Sequence, residues 1–149
     1  MGTPAPHPPQ DPAVEERVRK SFLRQKVMKT IGAQMLTVAP GVVEIELPYH
    51  PGLTQQDGFI HAGIITTIAD SACGYAAYSL MSADAAVLTV EFKVNLLAPA
   101  KGERFVARGR VLRSGRTLTV CQADVVAYPS EQTVATMLGT IMAMRPRKA

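Results

Sequence analysis

The sequence has no tryptophan, only two cysteines, and aromatic side chains at just 5% of its 149 residues. Each shortage removes a class of function. Proteins that hold single-stranded nucleic acid stack bases on aromatic platforms, and few are available here. Two cysteines build neither a disulfide framework nor a four-sulfur zinc site. No apolar run approaches the roughly 18 residues needed to span a bilayer. The N-terminus lacks the charged, apolar and small-residue blocks of a secretory leader, so a cytoplasmic protein without a membrane partner is expected. The three histidines, at positions 7, 50 and 61, form no His-x-x-x-His pair, and there is no Cys-x-x-Cys. A Gly-x-Ser-x-Gly elbow and a glycine-rich phosphate loop are also missing. The expectation is an activity with no metal and no cofactor.

The net charge of +4 belongs to the ends of the chain. Residues 1–36 carry +3, residues 37–144 carry −2, and Arg145, Arg147 and Lys148 add +3. Nucleic-acid binding needs a basic face on the folded domain itself, so no nucleic-acid partner is expected.

What is present is 47% hydrophobic and 19% charged, enough for the core of one domain of this length. Residues 1–12 hold five prolines and read as a disordered lead-in, with His7 inert. Residues 13–144 read as a single domain and 145–149 as a basic tail. Val14, Val18 and Phe22, then Val27, Met28 and Ile31, predict one helix over 13–31, stopped at Gly32. Two strands flank Pro40-Gly41 within 33–47, and Val43, Ile45 and Leu47 alternate with Glu44 and Glu46. Residues 48–60 form a long loop, of the kind that often carries function. A second helix is predicted over 61–81. It is rich in alanine, glycine and serine, so its backbone can lie close against a sheet that wraps it. Strands follow at 87–97, 103–113, 117–128 and 133–144. In the first of these Leu88, Val90, Phe92, Val94 and Leu96 are expected on one face, opposite Thr89, Glu91, Lys93 and Asn95. Strands in runs with helices set apart indicate an α+β fold with an antiparallel sheet.

Few residues can carry chemistry. Cys73 and His61 are twelve positions apart on one helix, roughly 18 Å along its axis, and cannot pair. Cys73 and Cys121 read as small buried apolar residues. The stretch from Gln55 through Gly58, His61, Ala62 and Gly63 leads from a loop into a helix N-terminus. Free N–H groups and the helix dipole there can hold an anion or an oxyanion. An ordinary loop-to-helix turn accounts for the same residues. Asp70 lies mid-helix among small and apolar side chains, either hydrogen-bonded or part of a site. It follows His61 by nine residues, roughly 13.5 Å and half a revolution. If both groups serve one site, two chains must build it.

Gly58-Phe59-Ile60-His61-Ala62-Gly63, followed by Ile68-Ala69-Asp70, resembles the motif of the hotdog-fold acyl-CoA thioesterases of the PaaI-like, phenylacetate-pathway type. Thr89-Val90-Glu91-Phe92 and Leu97-Ala98-Pro99-Ala100 resemble that family's next strand. The resemblance covers residues 30–144. It implies a curved antiparallel sheet wrapped around a long central helix, paired as a homodimer or homotetramer with sites at the dimer interface. It implies hydrolysis of an acyl-CoA thioester, with coenzyme A entering only as part of the substrate. Asp70 falls on the family's nucleophile or general base, and Ala62 with Gly63 on the oxyanion position. His61 falls on the organiser of the turn, Gln55 on an amide that orients water or thioester, and Thr89 on a hydroxyl that places the water. Ala62 stands where the family has glycine, and Gln55 where many members have asparagine. Arg108, Arg110, Arg113, Arg116 or the basic tail are candidates for the coenzyme A phosphates. Two other activities suit the same fold: a dehydratase or hydratase, and a non-catalytic acyl-CoA-binding module.

Overall fold

The computed structural model describes residues 12–145. Of the expected lead-in over 1–12, residues 1–11 lie outside the described residues and Pro12 opens the first helix; of the tail over 145–149, only Arg145 is described. Two short helices, α1 (Pro12–Arg24) and α2 (Lys26–Ile31), precede strands β1 (Gln34–Ala39) and β2 (Val42–Pro48). A single 3-10 turn over Pro51–Leu53 leads to the long helix α3 (Ala62–Tyr78). Strands β3 (Ala86–Leu96), β4 (Arg104–Ser114), β5 (Leu118–Tyr128) and β6 (Gln132–Met144) complete the chain.

The six strands form one curved antiparallel sheet in the order β1-β2-β4-β5-β6-β3. This is the α+β hotdog arrangement, with α3 lying in the concave face against β2 to β6. The composition of α3 explains how closely it sits. Ala69, Ala72, Cys73, Gly74, Ala76 and Ala77 are all buried. A Cβ on Gly109 of β4 would lie 2.3 Å from the Ala72 carbonyl, so strand and helix backbones touch at that point. Around this contact Ile65, Ile68, Phe105 and Ile141 are fully buried, each worth about 1.5–3 kcal/mol. Alternation does the rest: Val43, Ile45 and Leu47 of β2, and Cys121, Ala123, Val125 and Ala127 of β5, all face inward.

Three expectations need correction. The helix over 13–31 is two helices, broken at Gln25, whose backbone is extended (φ −73°, ψ 98°). His61 is not helical but caps α3, and the helix ends at Tyr78. In β3 the apolar residues do not share one face. The pairing with β6 slips between Thr89 and Glu91, a bulge at Val90 that reverses which side the following residues face. Val87 and Thr89 point toward α3 before it and Val94 does so after it, while Leu88 is half exposed.

The first helix buries Val18 and Phe22 in the core, and Arg17 ties it to the end of α3. Arg17 donates to the carbonyls of Met81 (2.9 Å), Ser82 (3.0 Å) and Tyr78 (3.3 Å), at the end of α3, and its guanidinium lies 4.3 Å from the Tyr78 ring centroid. A cation on a helix C-terminus satisfies carbonyls that have no intrahelical partner.

Candidate active site

The loop ahead of α3 closes on itself. Thr54 and Ile60 form an isolated antiparallel bridge, and Gln55 N–H donates to the Phe59 carbonyl (2.8 Å). Gly58 takes φ +84°, a value that favours glycine, at the tip of this turn. The Gln55 side-chain oxygen accepts from the Asp57 N–H, and its amide nitrogen lies 3.4 Å from the Asp57 carboxylate. Gln55 is therefore held, half-buried, by its own loop.

His61 sets the start of the helix. Its Nδ1 accepts from the Gly63 N–H at 2.9 Å, so the imidazole rather than a hydroxyl or carboxylate provides the cap. A Cβ at position 63 would stand 3.1 Å from that Nδ1, so glycine leaves room for the ring. The Gly63 N–H is thereby used, and the N–H of Ala62 is left without a partner among the described residues. Of the two expected oxyanion donors, only Ala62 is free. Beside it opens an apolar cavity of about 520 Å³, walled by Gln55, Phe59, Ile65, Leu96, Leu97 and Pro99 among others.

Two turns along α3, Asp70 faces a different place. Thr89 donates its hydroxyl to Asp70 Oδ1 at 2.7 Å, from the last residue of β3 before its bulge. Burial raises the Asp70 pKa above the ordinary aspartate value, and the Thr89 hydrogen bond opposes that rise. A second, smaller cavity of about 200 Å³ opens here, lined by Gln25, Asp70, Ser71, Tyr75, Val87 and Thr89 with their neighbours.

One chain thus brings Gln55, His61, Ala62 and Gly63 together at the N-terminal end of α3, and Asp70 with Thr89 beside its middle, without joining the groups. Gln25 was missed by sequence reading. The remaining candidates are quiet. Both cysteines are buried, and burial pushes the Cys121 thiol up to about 12 and raises that of Cys73. Arg108 pairs with Glu44 (3.2 Å) and Arg110 with Gln122 (2.7 Å). Among the described residues no three His, Cys, Asp or Glu side chains gather as a metal site, and no helix is long and apolar enough to cross a membrane.

The sequence profile of the thioesterase superfamily matches residues 57–134, from the turn before α3 into β6. The chain belongs to the thioesterase superfamily. A protein of Saccharolobus solfataricus, provisionally named an esterase, is 32% identical over 112 residues, 75% of this chain and 77% of that relative. One from Halobacterium salinarum, named in the same way, is 31% identical over 67% of this chain and 69% of its own. Among solved structures, a thioesterase family protein of Silicibacter pomeroyi is 55% identical and covers 89% of this chain and 99% of its own, with a TM-score of 0.87. The PaaI protein from the phenylacetic acid degradation operon of E. coli shares the fold, with a TM-score of 0.81 at 17% identity over 88% of this chain and 93% of its own. The superfamily's chemistry is thioester hydrolysis, and the chain is a hydrolase of that class.

Proposed function

We propose that this thioesterase hydrolyses acyl-CoA thioesters to the free acid and coenzyme A, as a dimer paired through β3. The observation that carries the proposal is the separation of the two half-sites along one open edge strand. Leu96 borders the cavity at Ala62, and Val87 and Thr89 border the cavity at Asp70. When two antiparallel edges pair about a two-fold axis, opposite ends of the strand come side by side. The Ala62 cavity of one chain then meets the Asp70 cavity of the other. The edge suits such a role: Leu88, Val90, Phe92 and Leu96 are 42–54% exposed along eleven residues.

The chemistry follows from the groups. Thr89 donates its hydroxyl hydrogen bond to Asp70 Oδ1, so its oxygen lone pairs remain free to accept from a water. Asp70 Oδ2 takes a proton from that water as its oxygen attacks the thioester carbon. The carbonyl oxygen becomes an oxyanion held by the Ala62 N–H, at the positive end of a 17-residue helix. Collapse breaks the C–S bond, and the departing thiolate takes up the proton. Gln55 orients the thioester from the larger cavity, and His61 keeps the turn in register. Direct attack by Asp70, through an anhydride, uses the same parts. Neither route draws on a metal or cofactor.

The test is thiol release from a panel of aromatic and aliphatic acyl-CoAs. Wild type should turn over part of the panel, and Asp70→Asn should lose about 10²–10⁴-fold with its fold and assembly intact. Equal hydrolysis by both proteins would displace Asp70. Binding without release by the wild type would make the protein an acyl-CoA-binding module.

A further inference from the structure

The break between α1 and α2 has a consequence at the smaller cavity. Nothing in Arg24-Gln25-Lys26 requires a helix to stop, since neither proline nor glycine is present. The chain is nevertheless extended at Gln25, whose N–H donates to the Phe22 carbonyl (2.9 Å) and whose carbonyl accepts from the Met28 N–H (3.1 Å). A residue at a helix N-cap ordinarily turns its side chain back onto the new helix. Gln25 makes no such bond. Its side chain reaches across to α3 instead, where the buried Ser71 hydroxyl donates to its Oε1 at 3.3 Å. That contact engages the amide oxygen and leaves the NH₂ group without a partner among the described residues. Gln25 and Asp70 line the same cavity.

We propose that Gln25 is a specificity-determining residue: its amide NH₂ donates to an acceptor atom on the acyl group seated beside Asp70. The favoured substrates are short-chain or single-ring acyl thioesters that carry an oxo or hydroxyl oxygen, or a ring nitrogen, away from the thioester. Size agrees with this class. About 150 Å³ is enough to hold benzene, and this cavity measures about 200 Å³. Polarity agrees as well, because a site built to donate a hydrogen bond discriminates strongly against an analogue that cannot accept one. The inference rests on the thioesterase reading of Asp70.

The experiment uses two matched pairs that differ in one acceptor: phenylacetyl-CoA against 4-pyridylacetyl-CoA, and hexanoyl-CoA against 5-oxohexanoyl-CoA. The ratio of kcat/KM within each pair is measured for wild type, Gln25→Met and Gln25→Glu. Wild type should favour the acceptor-bearing member of at least one pair by about tenfold or more. Gln25→Met, of similar length but without a donor, should bring that ratio to within about threefold of one. Gln25→Glu, which keeps an acceptor for Ser71, should reverse it. A wild-type ratio near one in both pairs, or a preference that survives both substitutions, overturns the proposal. Calorimetric binding of the four thioesters to Asp70→Asn, with and without Gln25→Met, separates the two readings. Discrimination in binding with no turnover by wild type overturns hydrolysis and upholds Gln25. Turnover without discrimination does the opposite.

Discussion

The sheet has two edges, and the chain treats them differently. At one, β1 is six residues long and bulged between Met35 and Thr37. Arg19 lays its guanidinium on the carbonyls of Met35 and Leu36, both at 3.1 Å. At the other, β3 runs eleven residues, and its Leu88, Val90, Phe92 and Leu96 side chains stay 42–54% exposed. Short length, a bulge and a charged cover are the devices that keep an edge from pairing. Both strands carry a bulge, so length and cover are what separate the edges: the short β1 has the Arg19 guanidinium on its carbonyls, and the eleven-residue β3 has no such bond from a described residue. The groups assigned to chemistry also cluster at the open edge, where Thr89 bonds Asp70. The closed edge serves the single chain, and the open edge is where the proposed dimer would build its shared site.

The largest effect should come from spoiling the open edge. Val90 is 52% exposed in the middle of β3. Val90→Asp places a charge where the partner strand would lie, at little cost to the single chain. Light scattering after gel filtration should report a monomer with native circular dichroism. Thiol release should fall by at least about a hundredfold, because loss of one half-site removes the oxyanion donor. The matched change on the closed edge, Leu36→Asp, should leave assembly and turnover unaltered. A Val90→Asp monomer that still hydrolyses acyl-CoA would erase the functional difference between the edges.

Much of this architecture is legible in the sequence because it depends on local period. The alternation of Val43, Ile45 and Leu47, and the small residues of α3, each report a buried face directly. The motif from Gln55 to Gly63 marks the helix start because capping is a local affair. What the sequence conceals is where a period slips. The four-residue step of Val14, Val18 and Phe22 would next fall on Lys26, whereas Met28 and Ile31 are the buried residues and Val27 is 48% exposed. That slip is the one trace of the break at Gln25. The bulge at Val90 leaves no trace, since Leu88 to Leu96 alternate without interruption. Only pairing with β6 shows that Thr89 and Val94 face the same side. That Asp70 and His61 do not meet within one chain was legible from spacing, because nine residues of helix and cap separate them.

A smaller effect should appear in the pH dependence of stability. Burial raises the pKa of Asp70 in the folded chain, so the folded state holds this proton more tightly than the unfolded state does. Its contribution to stability is fully present below the unfolded pKa and is lost as pH rises through the folded one. At neutral pH ionisation of this buried carboxylate is therefore a net cost to stability. Asp70→Asn, with an amide oxygen still able to accept from Thr89, should melt higher than wild type at pH 7. The two should converge at pH values below the ordinary aspartate range. The same shift places the acid limb of the rate profile above that range, with activity rising as Asp70 ionises. Identical melting curves at pH 7 would show that the Asp70 cavity carries no such penalty.

The smallest effect tests the closed edge. Arg19 makes two hydrogen bonds to β1 carbonyls and a 2.8 Å bond to Glu15, but its side chain is 38% exposed. Solvent screening limits what such contacts contribute, so Arg19→Met should cost only about 1 kcal/mol. For a chain of this length that is about 3 °C in Tm, read at fixed protein concentration because the melting point of the proposed dimer would depend on it. Turnover per folded dimer should not change, since no group at Ala62 or Asp70 touches Arg19. The informative result is the assembly state at high concentration. Removing the guanidinium uncovers the carbonyls of Met35 and Leu36 while the bulge between Met35 and Thr37 stays in place. If the variant remains a dimer, the bulge and the short strand are enough to close this edge. If it forms higher oligomers, the arginine is what keeps the two edges distinct, and a second substitution that restores a positive charge nearby should reverse the association.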